Sequence, residues 1–210
     1  MTSNYNITKP TILLQISGGL DSLGCLYKLL TDAKYSKYDI FVHHTKLINA
    51  ENREPAEAIA VAAILDWFKA HTEIKTFQFA ESIFECPSIN NFIPWDADVT
   101  NFTAGLICEA APRIEFVAAG RSKDDDNRGS TVASKFVITR ANQILTLFTN
   151  KPKDKVKIYP IIDLTRQEIW DMLPTDLRTL SWSCRKPTYK ENGTPVKCGK
   201  CVPCLSGVGN

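Results

Sequence analysis

Residues 11–22 read TILLQISGGLDS, and this stretch sets the pattern for the rest of the chain. Residues 11–16 form a short apolar run rich in branched side chains, which predicts a buried strand. The glycine turn Ser17-Gly18-Gly19 follows at once. Apolar residues then recur from Leu20 with the spacing of one helix face. We therefore predict a strand, a glycine turn and a helix in direct succession.

The same alternation continues along the chain. Further strands are predicted at 40–44, 75–79, 115–119 and 157–162, and further helices at 54–70, 100–111 and 131–149. Residues 80–97 have no periodicity and predict a long loop, whereas the capping box Thr165-x-x-Glu168 predicts one more short helix. The pattern indicates an α/β fold with a doubly wound, mostly parallel five-stranded sheet of the Rossmann-like kind.

In a sheet of this kind, ligands bind beyond the carboxyl ends of the strands. The residues at or after the predicted strand ends are Ser17, His43, Ala80, Gly120 and Asp163. We therefore expect a functional site to be assembled near these positions, which are far apart in sequence.

Length and composition are those of an ordinary globular chain. The 210 residues suit one α/β domain, at 1–180, followed by a small cysteine-rich segment at 181–210. A net charge of +2 gives no general case for a nucleic-acid partner, because polyanion binding requires a concentrated basic face. The longest apolar run, at 58–65, is too short to cross a membrane, and the polar start lacks the order of a signal peptide. We expect a cytoplasmic protein with no membrane partner.

The turn at 17–22 has the residue types of a phosphate-binding loop. Glycine permits a positive φ and lets backbone amides approach a phosphate, and the following helix N-terminus adds partial positive charge. The hydroxyls of Ser17 and Ser22 can donate hydrogen bonds, and Asp21 can help to hold Mg²⁺. No Gly-Lys-Ser/Thr closes the turn, so it is not the lysine-containing P-loop. The alternative is a glycine turn without a ligand.

Four of the seven cysteines crowd the last 27 residues. The two overlapping CxxC steps of Cys198, Cys201 and Cys204, with Cys184 upstream, can supply four thiolates to one tetrahedral Zn²⁺ in a closed structural site. An iron–sulfur cluster and unligated thiols are the alternatives. Of the other three cysteines, two fall in helix patterns and are expected in the core, and the third lies in the long loop: Cys25, Cys108 and Cys86.

The six residues SGGLDS directly after a first strand resemble the SGGxDS signature of the pyrophosphate-loop ATP pyrophosphatase superfamily, which includes GMP synthetase and NAD synthetase. The resemblance implies a fold of the adenine nucleotide alpha hydrolase type, and cleavage of ATP to AMP and pyrophosphate with transfer of AMP to a substrate oxygen. Carried over, the ATP-binding residues are Ser17, Gly18, Gly19, Leu20, Asp21, Ser22 and Arg121. The resemblance implies that Asp21 and Ser22 are the catalytic residues.

With the C-x13-C-x2-C-x2-C ending added, the chain resembles the 7-cyano-7-deazaguanine synthase family of the queuosine pathway. That resemblance implies conversion of 7-carboxy-7-deazaguanine and free ammonia to the nitrile, with ATP, Mg²⁺ and Zn²⁺ as cofactors. By analogy, it also implies a homodimer. Three segments depart from the family pattern: Asn52-Arg53-Glu54, the residues after Ile93-Pro94, and the run at 121–128.

These departures keep two other hypotheses open. A divergent paralogue would adenylate a related acid and stop at an amide, or join the acid to another amine, or adenylate a nucleic-acid base. A nucleotide-binding module would have lost catalysis.

Several single residues have both a functional and a structural interpretation. The three acidic residues Asp124, Asp125 and Asp126 would hold Mg²⁺ or form a solvated loop. Arg121 and Arg128 would clamp an anion, and Phe92 and Trp95 would stack on a flat base or anchor their loop. His43 and His44 end a strand near the expected site without a partner visible in the sequence.

Overall fold

The computed structural model describes residues 9–89, 96–127, 131–149 and 156–208. Its main sheet has five strands: β1 (Thr11–Gln15), β2 (Asp39–Ile48), β3 (Gln78–Glu85), β4 (Ile114–Ala118) and β5 (Val156–Ile158). The spatial order is β3-β2-β1-β4-β5, and every neighbouring pair is parallel. The doubly wound, Rossmann-like fold expected from the sequence is confirmed.

Eight α-helices are found in the described residues: α1 (Leu20–Thr31), α2 (Glu54–Ala70), α3 (Asp96–Ala110), α4 (Lys123–Asn127), α5 (Thr131–Leu147), α6 (Arg166–Met172), α7 (Thr175–Arg178) and α8 (Val202–Leu205). The capping box that opens α6 is formed as predicted. After α7, a two-stranded antiparallel ribbon joins β6 (Thr188–Tyr189) to β7 (Pro195–Val196).

Strand β1 is buried on both faces because helices cover both sides of the sheet. Successive side chains point to opposite faces. Ile12 and Leu14 therefore belong to the larger core with α1, α2 and α6, whereas Leu13 belongs to the smaller core with α3 and α5. Cys25 and Cys108 lie in these two cores, as their helix patterns predicted.

The position where the strand order reverses lies between β1 and β4. From β1 the chain winds outward through β2 and β3, and then returns to the other side through β4 and β5. Connections on the two sides of this point leave in opposite directions, so a crevice opens at the carboxyl ends of β1 and β4. The turn at 17–22 and Gly120 follow these two strands.

The strand prediction at 75–79 was displaced, since β3 begins at Gln78 and continues to Glu85. The predicted loop at 80–97 therefore contains most of a strand. Strand β3 lies at one end of the sheet order and is not deeply buried, so it has no continuous apolar run. The strand forms through backbone pairing with β2, which continues as far as the pair Ile48 and Glu85.

No helix in the described ranges is long and apolar enough to cross a membrane.

Candidate functional site

A cleft of about 380 Å³ opens at the switch point of the sheet. Its walls come from the turn after β1, from Gly120 after β4, from the first turns of α3, and from Lys157 of β5. A further wall is supplied by Trp182, Ser183 and Pro203 of the C-terminal segment. We call this space the switch-point cleft.

The turn at 17–22 has a tight, internally bonded geometry. Gly18 has φ of 77°, a conformation that side chains with a Cβ rarely adopt. The Ser22 hydroxyl donates to the Gly19 carbonyl over 3.0 Å and accepts from the Ser17 amide over 3.2 Å. The hydroxyls of Ser17 and Ser22 are also 3.2 Å apart. Helix α1 begins directly after this turn, at Leu20.

Gly120 is required because it touches the backbone of this turn. A Cβ built at this position would be 2.7 Å from Asp21 C and Ser22 N. These are backbone atoms, so a side chain at 120 would force the turn itself to move.

We expect Gly120→Ala to impair both stability and ligand binding. Overpacking of this kind costs about 1–3 kcal/mol in the free energy of unfolding. Displacement of the turn should weaken binding of the ATP that the sequence predicts there, by about tenfold or more. Urea unfolding and calorimetric titration with ATP measure the two effects. Unchanged ATP affinity in the variant would show that the contact does not shape the site.

Arg166 is a buried cation that the sequence did not single out for the site. Its side chain lines the switch-point cleft, and its Nε lies 3.6 Å from Asp21 Oδ1. Its backbone amide donates to Asp124 Oδ2 over 2.7 Å, which ties the start of α6 to the segment after β4. The only sequence signal for Arg166 was its place inside the capping box.

The structure brings part of the predicted set to the cleft. Ser17, Gly19, Asp21 and Ser22 line it, whereas Gly18 faces Ala60 and Glu57 of α2. The two remaining residues do not line it, namely Leu20, whose side chain is buried in the core, and Arg121.

The other predicted residues fall into two groups. Asp125 lines the cleft and accepts hydrogen bonds from the amide and hydroxyl of Ser122. Asp124 accepts a hydrogen bond from the Arg166 amide. Both carboxylates therefore stabilise the local backbone. The other predicted residues lie outside the part of the chain that the structure describes, or have side chains that it does not describe: Phe92, Trp95, Asp126 and Arg128.

The sulfurs of Cys184, Cys198, Cys201 and Cys204 form a cluster in which all four Sγ atoms lie within 4.8 Å of one another. Cys201 Sγ is 3.4 Å from Cys204 Sγ and 4.0 Å from Cys184 Sγ. Tetrahedral zinc with bonds of about 2.3 Å requires sulfurs about 3.8 Å apart. The donor set therefore fits a closed Zn²⁺ site.

Backbone amides point at the sulfurs of this cluster. The Cys198 amide donates to Cys184 Sγ over 3.3 Å, and the Arg185 amide donates to Cys201 Sγ over 3.4 Å. The amides of Lys200 and Cys201 both donate to Cys198 Sγ, which lowers the pKa of that thiol to about 6. Such N–H···S bonds stabilise the thiolates that a metal requires.

The segment next to the cluster is bonded directly to the turn at 17–22. The Trp182 amide donates to the Gly18 carbonyl over 2.8 Å. The Leu20 amide donates to Ser183 Oγ over 3.4 Å. The cysteine cluster therefore borders the switch-point cleft.

A charged cluster forms another side of the cleft. Arg53 pairs with Glu51, Glu57 and Asp96 at 2.6, 3.1 and 3.2 Å, and Arg185 reaches Asp96 at 3.0 Å. Burial raises the pKa of Glu57. The segment Asn52-Arg53-Glu54, one of the departures from the family pattern, thus supplies the central cation of this cluster.

His43 and His44 are buried and take part in hydrogen bonds that hold the strands. His43 Nδ1 lies 3.1 Å from Gln15 Oε1, and its Nε2 lies 2.9 Å from Ser82 Oγ. His44 Nδ1 donates to the Ile16 carbonyl over 2.8 Å. Burial lowers the pKa of His43 to about 4.

Stability should therefore fall as the pH is lowered from 6.5 to 4. In this window the unfolded chain binds a proton at residue 43 that the folded chain excludes, so acid favours unfolding, by about 3 kcal/mol in total. Urea unfolding at pH 7 and pH 4.5 measures the loss, and His43→Gln should reduce it. An equal loss in the variant would assign the acid sensitivity to other groups.

The fold has a counterpart among solved structures. The U34-tRNA thiolase NcsA from Methanococcus maripaludis, with its [4Fe-4S] cluster, superposes with a TM-score of 0.55 at 15% identity, over 97% of this chain and 65% of that chain. NMN synthetase from Francisella tularensis gives 0.44 at 12% identity, over 98% and 76%. NH3-dependent NAD synthetase from Campylobacter jejuni gives 0.36 at 17%, over 79% and 63%. The chain thus spans just under two thirds of the thiolase, and that likeness concerns the fold. No protein-family model and no curated protein matches the sequence.

Proposed function

We propose that this chain cleaves ATP to AMP and pyrophosphate and uses the AMP to activate a carboxylate for attack by an amine. The observation that carries the proposal is the SGGLDS turn at the switch point, with Ser17, Asp21 and Ser22 facing a cleft and helix α1 starting behind it. Amides and hydroxyls at a helix N-terminus favour a bound polyphosphate. Asp21 would contribute to holding Mg²⁺ on the phosphates.

The acceptor that we propose is 7-carboxy-7-deazaguanine, with ammonia as the amine. Its carboxylate attacks the α-phosphorus of ATP and releases pyrophosphate. Ammonia then displaces AMP and leaves the amide. A second ATP adenylates the amide oxygen, and loss of AMP and a proton gives the nitrile. The residues of the cleft act by positioning and charge neutralisation, so a protein nucleophile is not needed.

The four cysteines would hold Zn²⁺ as a closed structural site, because four thiolates leave no open coordination position. The four cysteines would take no part in the chemistry. They would hold the neighbouring residues Trp182 and Ser183, which form part of the cleft wall, against the turn at 17–22. The division into 1–180 and 181–210 and the homodimer remain predictions.

A product assay tests the proposed function. The protein is incubated with Mg²⁺-ATP, ammonium and 7-carboxy-7-deazaguanine, and nucleotides and bases are identified by mass. We expect AMP, pyrophosphate and the nitrile, with the amide as an intermediate. An amide that accumulates without nitrile would point to the divergent paralogue, whereas release of ADP would contradict the proposal.

A second candidate function is the activation of a base in tRNA. Two observations favour it: the likeness in fold to the tRNA thiolase, and the cysteines beside the cleft. The chemistry at ATP would be the same, and the acceptor would differ. Metal analysis distinguishes the two kinds of cysteine site: one zinc per chain favours the closed structural site of the first proposal, whereas iron and acid-labile sulfide favour a cluster such as the one in the thiolase.

A further inference from the structure

The switch-point cleft is lined by a lysine that has no acidic partner among the described residues. Lys157 lies near the carboxyl end of β5 and lines the cleft. Within the described part of the chain, its Nζ donates to Asn101 Oδ1, a neutral acceptor, and no carboxylate pairs with it. Burial and the nearby Arg121 charge lower its pKa to about 8.

Asn101 is fixed in the orientation that receives this lysine. Its side chain is 5% exposed, and its Nδ2 donates to the Ala97 carbonyl one helical turn earlier in α3. The amide oxygen is therefore left to face Lys157. A buried ammonium with only an amide oxygen opposite it is costly, because desolvation is not offset by an opposite charge.

A second donor, Gln15, points into the same cleft. Its Oε1 accepts from Thr45 over 3.4 Å and lies 3.1 Å from His43 Nδ1, while His43 Nε2 meets the Ser82 hydroxyl. These contacts fix the amide, so that Nε2 is the remaining donor. Among the described residues, this buried Nε2 has no hydrogen-bond partner.

Sheet register puts the two donors on one face. Leu13 of β1 pairs in register with Val117 of β4, and Val117 pairs in register with Lys157 of β5. The side chains of these three residues therefore point to the same side of the sheet, the side covered by α3. Gln15 is two residues after Leu13 on β1 and points to the same side. Gln15 and Lys157 thus lie on the α3 side of the sheet and line the same cleft, on the two strands that flank β4.

We propose that Lys157 and Gln15 form an oxyanion subsite that binds the reacting anion of the proposed reaction. Asn101 is its positioning residue. The inference rests on the proposed function and deepens it. The anion is either the α-phosphate of the nucleotide or the carboxylate of the acceptor, since both present the same oxygen chemistry and meet at this point of the cleft.

The first test needs no ligand. Lys157→Met keeps an unbranched apolar side chain, one heavy atom shorter, and removes the unneutralised cation, so the free protein should melt at a temperature equal to or a few degrees above that of the unmodified protein. A lower melting temperature for Lys157→Met would show that the lysine serves the fold, and would overturn the proposal.

The second test uses calorimetric titration with pyrophosphate, α,β-methylene-ATP and 7-carboxy-7-deazaguanine. In Lys157→Met, Asn101→Asp and Gln15→Glu, pyrophosphate affinity should be retained. At least a tenfold loss for α,β-methylene-ATP would identify the α-phosphate as the anion, and the same loss confined to the acid would identify the carboxylate. If the variants bind each of the three probes as tightly as the unmodified protein does, the subsite is overturned and the proposed function is not. Absence of nucleotide binding in the unmodified protein would instead reject the proposed function, and the subsite with it.

Discussion

Asp21→Asn is expected to reduce pyrophosphate release at least about 100-fold, the usual effect of removing one preorganised electrostatic group from a reaction that develops charge. The variant keeps the shape of the side chain. It removes the negative charge that would help to hold Mg²⁺, and that lies 3.6 Å from Arg166 Nε. Mg²⁺-ATP affinity should fall as well, and the remaining activity should respond little to Mg²⁺ concentration.

Pyrophosphate release and calorimetric titration with Mg²⁺-ATP measure these effects. Asp66→Asn is the matched control, since Asp66 is an exposed α2 residue that pairs only at the surface with Lys69. Full pyrophosphate release in Asp21→Asn would remove the basis for placing the metal and the phosphates at this turn.

Loss of the proposed metal should unfold the C-terminal segment and weaken nucleotide binding together. A structural zinc contributes about 10 kcal/mol or more to small zinc domains. In a chain of this size, a loss of only about 4 kcal/mol lowers the melting temperature by roughly 8–16 °C. The Trp182 amide, which donates to the Gly18 carbonyl, would no longer be held against the turn. ATP affinity should therefore fall about tenfold.

Cys184→Ser tests this coupling, because Cys184 is the buried member of the cluster and lies two residues after Trp182. Metal content, melting temperature and ATP affinity are measured in parallel. Cys86→Ser is the control, since Cys86 lies outside the cluster. A metal-free Cys184→Ser protein that binds ATP with unchanged affinity would show that the cluster supports its own segment and not the turn.

The sequence specified the fold where the signal was local. Residues 11–22 are next to one another, and their strand, turn and helix follow from branched apolar side chains, two glycines and helical spacing. Helix α2 was predicted at its observed bounds, because its apolar face is continuous. The four-cysteine cluster was also readable, since three of its cysteines lie within seven residues.

Strand β3 was misplaced for a physical reason. Its side chains alternate in exposure at the end of the sheet order, so Glu81, Ser82 and Glu85 mask the strand in the sequence. Backbone pairing with β2 forms it, and that pairing is not visible in residue types.

The sequence by itself determined that a phosphate-type turn follows the first strand of a parallel α/β sheet, and that four thiols come together near the end of the chain. Only the tertiary structure decided that these two features touch, and that Arg166, Gln15 and Lys157 face the same cleft. Strand order and register bring distant residues to one cleft, such as Gln15 and Lys157, which are 142 positions apart, and local sequence patterns contain no information about such pairings.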